Sequence, residues 1–322
     1  MRIAVVGAGA WGTTVAILLA RKGHEITLWA RDPERAKRMQ EVRENERYLE
    51  GFPFPDTIEV TGGDLGPCDF LVGGVPTQYM RAVFERLLPG LPEGPFLSLA
   101  KGIEIGTNRL PTQIFEEVAG TRPTAVLTGP CIGIEIARGL PTAVLVAGDA
   151  AEMFRDALWT DRFRVYTSGD KLGAQIVGAL KNVMALAAGI VDGMGLGDNA
   201  KAAILTRGIV EIARLGTSLG AQAETFTGLA GFGDLFTTCV SPHGRNRGVG
   251  ERIGRGETLD AILASTTSVA EGVPTTRAVL ALAREQGVEM PITAAVHGIL
   301  FDGISVPEAL GALMTRELRS EA

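Results

Sequence analysis

The sequence predicts an α/β protein with a Rossmann-type dinucleotide-binding domain over residues 1–168 and an all-helical substrate domain over residues 169–322. Three observations carry that expectation. The first half alternates short Val-, Ile- and Leu-rich runs with amphipathic or polar stretches, the rhythm of βαβ units. After about Ser168 the texture changes to long Ala- and Leu-rich segments. Between the first apolar run and the next amphipathic stretch stand three glycines, Gly7, Gly9 and Gly12.

In chain order, residues 2–6, 25–29, 70–72, 96–99, 125–127 and 143–146 are the expected strands, suited to a parallel sheet buried on both faces. The Pro-rich stretches 51–55 and 89–95 read as loops. Helices are expected over 172–194, 199–220, 248–255, 258–265, 274–286 and 291–301. Pro274 and Pro291 suit early helix positions, and Gly216, Gly220 and Gly287 suit helix ends. No repeat of 20 to 50 residues is present, which excludes a solenoid.

Composition narrows the function classes. Hydrophobic residues make up 46% of the 322 and charged residues 21%, which argues against a disordered or membrane-embedded chain. The net charge of −6 has the wrong sign for a partner of nucleic acid, so any bound anion must be held by a local cluster. Cys68, Cys131 and Cys239 form no C-x-x-C pair, and His24, His243 and His297 are isolated. Neither a disulfide framework nor a metal site is expected, and a reducing cytoplasm fits. Residues 2–20 resemble a signal peptide in charge and length, but the glycines interrupt them. No other stretch is read as approaching the roughly 18 apolar residues of a membrane span, so no membrane insertion is expected.

The motif Gly7-Ala8-Gly9-Ala10-Trp11-Gly12 follows a strand and opens a helix, the context in which G-x-G-x-x-G reads as a dinucleotide site. Its glycines permit a tight turn and close approach of a pyrophosphate to free N–H groups at the helix start. At the end of the second strand, where an acid commonly binds the ribose of NAD, the chain has Trp29-Ala30-Arg31-Asp32. Arg31 favours the 2′-phosphate of NADP, while Asp32 keeps NAD open.

Lys181 is the one charge in the otherwise uncharged stretch from Leu172 to Val191 and sits mid-helix, too far from either end for its stem to reach around. Desolvation there would lower its pKa toward the range useful for proton transfer. The stretch Gly228–Asp234 is too glycine-rich for a helix interior and delivers one carboxylate, for which a helix N-cap is the ordinary role. Gly244-Arg245-Asn246-Arg247 places two guanidiniums and an amide on one loop, a composition for a phosphate or for a solvated turn. Lys101 and the turn Gly129-Pro130-Cys131 each follow a strand, at the sheet edge where α/β folds bind ligands.

Taken in order, GAGAWG, SLAKGIE, LTGPCIGIEIARG, GALKNVMALAAGI, GLAGFGDLFTTC, RNRGVG and VAEG closely resemble the bacterial NAD-dependent glycerol-3-phosphate dehydrogenase family, from Met1 to about Ala312. The resemblance implies reversible NAD(P)H-dependent reduction of dihydroxyacetone phosphate to sn-glycerol 3-phosphate for phospholipid synthesis; Arg31 favours NADPH, no metal is expected, and a homodimer is the expected assembly. It makes Lys181 the general acid/base, with Lys101 and Asp234 lining the same pocket. Gly129, Cys131, Gly244, Arg245 and Asn246 become further substrate positions. Gly7, Gly9, Trp11, Gly12, Arg31, Tyr48, Lys101, Gly133, Arg245, Val269 and Glu271 become cofactor contacts. Cys131, Ile134 and Gly244 depart from the family's usual Ser, Lys and Ser, removing two hydroxyl donors. A ketopantoate- or β-hydroxyacid-type reductase and a non-catalytic dinucleotide sensor are the rival readings. The phosphate-suited RNR stretch argues against the first, and the Lys181, Lys101 and Asp234 set against the second.

Overall fold

The computed structural model describes residues 1–266 and 269–317. Among these, one sheet contains β1 Arg2–Val6, β2 Glu25–Trp29, β3 Ile58–Thr61, β4 Phe70–Gly73, β5 Phe96–Ser98, β6 Thr124–Thr128, β7 Thr142–Gly148 and β8 Phe163–Ser168. Between the strands lie α1 Ala10–Arg21, α2 Pro33–Val42, α3 Thr77–Leu87, α4 Pro111–Ala119, α5 Gly133–Ala137 and α6 Ala151–Leu158. The helical part follows as α7 Lys171–Gly193, α8 Gly197–Ser218, α9 Ala223–Thr227, α10 Asp234–Val240, α11 Arg245–Gly254, α12 Leu259–Ser265, α13 Gly272–Glu285, α14 Pro291–Phe301 and α15 Val306–Met314. The fold class is the one the sequence predicts, a Rossmann-type sheet followed by helices.

The strand order is β3-β2-β1-β4-β5-β6-β7-β8. Strands β1 to β6 run parallel, but β7 pairs antiparallel with β6, and β8 runs parallel to β7. The expected all-parallel sheet is therefore a mixed one. A parallel return needs a full crossover, whereas residues 129–141 contain only the five-residue α5, about 7.5 Å of helix. The two strands missing from the sequence-based set, β3 and β8, are the sheet's edges. Their side chains are only partly buried, so neither presents a continuous apolar run.

The two faces of the sheet carry separate cores. Val5, Leu28 and Val72 pack with Val15, Ile17 and Phe154 on one side, while Leu71 packs with Phe84, Phe96 and Phe115 on the other. In the helical part α7 is the central element, with every residue from Gly173 to Val191 buried. That burial explains why Lys181 is the only charge in the stretch. It also corrects an expectation, since α7 is long and apolar enough to cross a membrane, yet its most apolar window is wholly covered by the rest of the fold. Asp170 caps α7 through Gly173 N (2.9 Å) and also accepts from Gln222 N (3.0 Å) and Thr225 Oγ1 (2.5 Å), which pins the helix start to α9.

Glycines set how closely α7 and α11 approach. A Cβ at Gly189 would lie 2.0 Å from the Arg247 carbonyl oxygen, and one at Gly250 would lie 2.1 Å from that of Leu186. Gly193 and Gly254 repeat the contact one turn later. Gly216, expected at a helix end, instead lies inside α8, where the Phe226 ring fills the space of its missing Cβ.

Candidate active site

At the carboxyl end of β1 the chain turns at Gly7, with φ +115°, and enters α1. A Cβ on Gly7 would come within 2.7 Å of the Gly74 carbonyl carbon, and one on Gly12 within 2.0 Å of Gly7 O. These positions require glycine because backbone meets backbone there. Since β1 lies between β2 and β4, this turn occupies the point where the strand order reverses, the usual crevice for a ligand. No side chain caps Gly9 at the start of α1, and a Cβ on Gly9 would meet nothing within 4 Å. Beside it the buried Trp11 Nε1 has no hydrogen-bond partner. Open space, an uncapped helix start and an orphaned donor fit the anionic centre of a dinucleotide.

Neighbouring residues brace that turn. Arg35 Nη2 and Asn45 Nδ2 donate to Ala8 O at 2.9 and 3.1 Å, and Asn45 Nδ2 also reaches Thr13 Oγ1 at 2.7 Å. Arg35 lies over the Tyr48 ring at 4.4 Å, placing Tyr48 at the same end of the site. Gly133, first residue of α5, leaves its Cβ space against Thr14 of α1. Arg31 is exposed after β2 and makes no ion pair with the described residues. Asp32 caps α2 by accepting from Glu34 N (3.1 Å) and Arg35 N (3.4 Å).

The second part of the site is a buried ion cluster joining three regions of the chain. Lys181 of α7 and Lys101, just past β5, both donate to Asp234 at 2.7 Å, one to each carboxylate oxygen. Asp234 Oδ2 also accepts from Thr128 Oγ1 and Gly129 N at 3.2 Å. Lys101 Nζ lies 3.0 Å from Cys131 Sγ and 3.4 Å from Gly129 O, and Lys181 Nζ lies 2.5 Å from Thr238 Oγ1. Asp234 is therefore not an N-cap. It is the first residue of α10, 1% exposed, preceded by the π-helical turn Leu229–Gly233. The glycine-rich stretch thus does form helix, because glycine permits the wide turn and the ion pairs hold it.

Two ammoniums around one carboxylate leave a formal charge of +1 in a buried space. Burial alone would raise the Asp234 carboxyl, but the flanking lysines hold it below the usual carboxylate range. Burial pulls Lys181 below the ordinary lysine value despite its pairing with Asp234, and the neighbouring Lys101 charge adds to that. Lys101 is also pulled down by burial, but Asp234 and the contact with Cys131 outweigh this and raise it. Lys181 is thus the lysine more ready to release a proton.

The start of α11 forms the third part. The expected loop 244–247 is the N-cap and first turn of a helix, with Gly244 at the cap and no side chain capping it. A Cβ at Gly244 would lie 2.8 Å from Thr238 O, so the backbone here does not accommodate a serine without shifting. Arg245 is exposed and donates to Val269 O at 3.1 Å. Asn246 is buried and accepts from Gly272 N at 3.0 Å. Arg247 turns away to Asp192 at 2.7 Å, so the two guanidiniums of this stretch do not act together. Glu271 accepts from Thr77 N and Oγ1 at 3.0 and 3.1 Å, and burial raises its pKa against those bonds and the nearby Arg245.

Comparison with known proteins decides the family. A model described as NAD-dependent glycerol-3-phosphate dehydrogenase N-terminus matches residues 2–154, and its C-terminus counterpart matches residues 170–311. The chain belongs to the NAD-dependent glycerol-3-phosphate dehydrogenase family. It is 47% identical to a glycerol-3-phosphate dehydrogenase (NAD(P)+) of Chlorobium luteolum, covering 100% of this chain and 99% of that protein. A protein of the same name from Parvibaculum lavamentivorans is 44% identical over 99% of this chain and 98% of its own length. The crystal structure of glycerol-3-phosphate dehydrogenase from Coxiella burnetii superposes with a TM-score of 0.93 at 37% identity, covering 98% of this chain and 99% of that one. A ketopantoate reductase from Ralstonia eutropha reaches a TM-score of 0.60 at 16% identity, a likeness of fold alone.

Within this family member, several site residues escape a reading by sequence. Thr128 and Thr238 complete the shell of Asp234 and Lys181, and Asn182 Nδ2 donates to Lys101 O at 3.0 Å. Nothing in the sequence marks a single threonine as a partner of a distant charge. The glycine pairs Gly189/Gly193 and Gly250/Gly254 are a usable signal, since small residues at i and i+4 on two helices announce close backbone approach. Among the described residues no group of three or more His, Cys, Asp or Glu is placed to hold a metal.

Proposed function

We propose that this chain catalyses the reversible NAD(P)H-dependent reduction of dihydroxyacetone phosphate to sn-glycerol 3-phosphate, feeding glycerophospholipid synthesis. The observation that carries the mechanism is the buried Lys181–Asp234–Lys101 cluster at the carboxyl edge of the sheet. A nicotinamide dinucleotide, when bound, supplies the hydride or accepts it in reverse. Lys181 donates a proton to the C2 oxygen as the ketone is reduced and takes it back in the oxidation. The net positive charge of the cluster stabilises the developing alkoxide, with Lys101 as the second cation. Asp234 keeps both ammoniums aimed and tolerable in a buried space. Arg245 and the Asn246 amide hold the phosphate, helped by the uncapped backbone N–H groups at the start of α11, after Gly244, in place of hydroxyl donors.

The cofactor lies along Gly7, Gly9, Trp11 and Gly12, with Tyr48 and Arg31 at its adenosine end and Gly133 beside α1. Lys101, Arg245, Val269 and Glu271 contact it from the substrate side. With Asp32 turned to its own helix and Arg31 free, NADPH binds at least as well as NADH. The functional division falls at residues 168/169, and the working form is a cytoplasmic homodimer. The test of the reaction is substrate-dependent oxidation of NADPH and NADH by the purified chain, with dihydroxyacetone phosphate set against dihydroxyacetone and ketopantoate. Turnover with a carboxylate ketone but not with the phosphate ester overturns the assignment.

A further inference from the structure

The first turns of α3 grip the segment that carries Lys101. Gln78 acts as a two-point clamp, its Nε2 donating to Ile103 O at 2.6 Å and its Oε1 accepting from Ile105 N at 3.1 Å. One turn on, Arg81 forms a two-bond pair with Glu104, at 3.0 and 2.8 Å, so that Ile103, Glu104 and Ile105 are each held from α3. Glu104 is 8% exposed, and Thr107 Oγ1 also donates to it at 2.5 Å. On the other side Asn182 of α7 holds Lys101 O. Between these anchors lies Gly102, where a Cβ would come within 2.7 Å of Thr77 Oγ1 and 3.3 Å of Glu271 Oε1. Gly102 thus lets the segment run close against α3, and it cannot move away from that helix without breaking the Gln78 bonds.

We infer that Gln78 is a positioning residue for the reaction, fixing the register of residues 101–105 so that the Lys101 ammonium reaches Asp234 and the substrate oxygen. The inference rests on the proposed role of Lys101. Irregular backbone past a strand end has no ladder to set its register, and the Gln78 amide supplies one donor and one acceptor in place of a neighbouring strand. Gln78 itself touches neither Lys101 Nζ nor Asp234, so its effect passes through the backbone. A reacting group displaced by about 1 Å loses roughly 100-fold in rate.

The test compares Gln78→Ala and Gln78→Glu with the wild-type enzyme. The second variant keeps the side-chain shape and the acceptor for Ile105 N while replacing the donor to Ile103 O by a carboxylate oxygen that repels that carbonyl. Loss of dihydroxyacetone phosphate reduction by wild-type chain at the outset would defeat the proposed function, a result separate from the one at issue here. With wild-type activity in hand, kcat is expected to fall roughly 10- to 100-fold in Gln78→Ala and at least as far in Gln78→Glu. NADH affinity, followed by its fluorescence on binding, and Tm should stay close to wild type. Unchanged kinetics in both variants, or a decline of activity matched by equal losses of cofactor affinity and Tm, overturns the inference. A cycle with Lys101→Met sharpens the result, since a residue acting through Lys101 costs less than twofold once that lysine is gone. A repeat of the full loss in that background assigns Gln78 a role in general stability and overturns the inference as well.

Discussion

The two ends of the site are built by opposite strategies. The cofactor end is made from one short stretch, Gly7 to Gly12, and offers mainly backbone: a turn with glycine where backbone meets backbone and an uncapped helix start. The substrate end is made from side chains at positions 101, 128, 131, 181, 234 and 238, which meet only when the helical part folds against the sheet. Backbone donors are neutral and fixed, so they hold an anion without themselves titrating. Buried lysines and an aspartate depend on one another for their charge state, which makes that end adjustable and also vulnerable.

The sharpest way to break the comparison is Lys181→Ala. Removing this ammonium leaves the Lys101–Asp234 pair neutral, so the protein is expected to fold while kcat falls roughly 10²- to 10⁴-fold. Wild-type Tm with such a loss places Lys181 in the chemistry, and more than a tenth of wild-type kcat removes it.

Asp234→Asn should disturb the substrate end in two ways. Leaving two buried ammoniums without their partner costs about 3–5 kcal/mol, measurable by denaturant unfolding at neutral pH. Because the native Asp234 pKa is depressed, its stabilisation is present above the ordinary carboxylate range and is lost as pH falls through the native value. The variant should lack that acid-sensitive component. Ketone reduction needs protonated Lys181, so wild-type kcat/KM should decline as pH rises through a pKa below the ordinary lysine value. Without the carboxylate that holds both lysines up, this alkaline limb should move to lower pH in the variant. A limb that stays in place assigns the titration to another group.

Arg245→Ala should have an intermediate effect because the side chain is exposed and Glu271, which loses its nearby charge, keeps its bonds from Thr77. Loss of a charge-assisted bond to phosphate is expected to cost about 1.5–3 kcal/mol in kcat/KM for dihydroxyacetone phosphate and much less for dihydroxyacetone. Equal losses with the two substrates would move Arg245 from the phosphate to the cofactor alone.

The smallest effect should come from Arg31→Ala at the cofactor end. An exposed guanidinium facing a 2′-phosphate is screened by salt, so KM for NADPH should rise about two- to fivefold while that for NADH hardly changes. Identical changes for the two cofactors would show that Arg31 does not read the phosphate.

Legibility in the sequence follows the same division. The glycine motif could be read because its chemistry is local: strand, turn and helix start are adjacent in the chain, and the requirement for glycine is set by backbone sterics. Lys181 could be singled out because a charge in a long uncharged helix is an anomaly on its own strand of text, whatever its partners. Its partners Lys101 and Asp234 were legible through the family resemblance alone, not from their own residue patterns. Asp234 had the look of a capping residue, and only the packing of α10 against α7 turns its carboxylate inward to two lysines. Arg245 and Arg247 look equivalent two positions apart, yet the turn of α11 sends one outward to Val269 O and the other to Asp192.

By itself, then, the sequence determined the alternation of strands and helices, the glycine turn that accepts an anion, and the buried lysine, because each depends on neighbours within a few residues or on burial averaged along one element. Tertiary structure decided the reversed direction of β7, the three-way sharing of Asp234 and the clamp on the Lys101 segment. Those outcomes depend on pairs of groups as far as 133 residues apart, and their charge states exist only after burial has removed water from both partners.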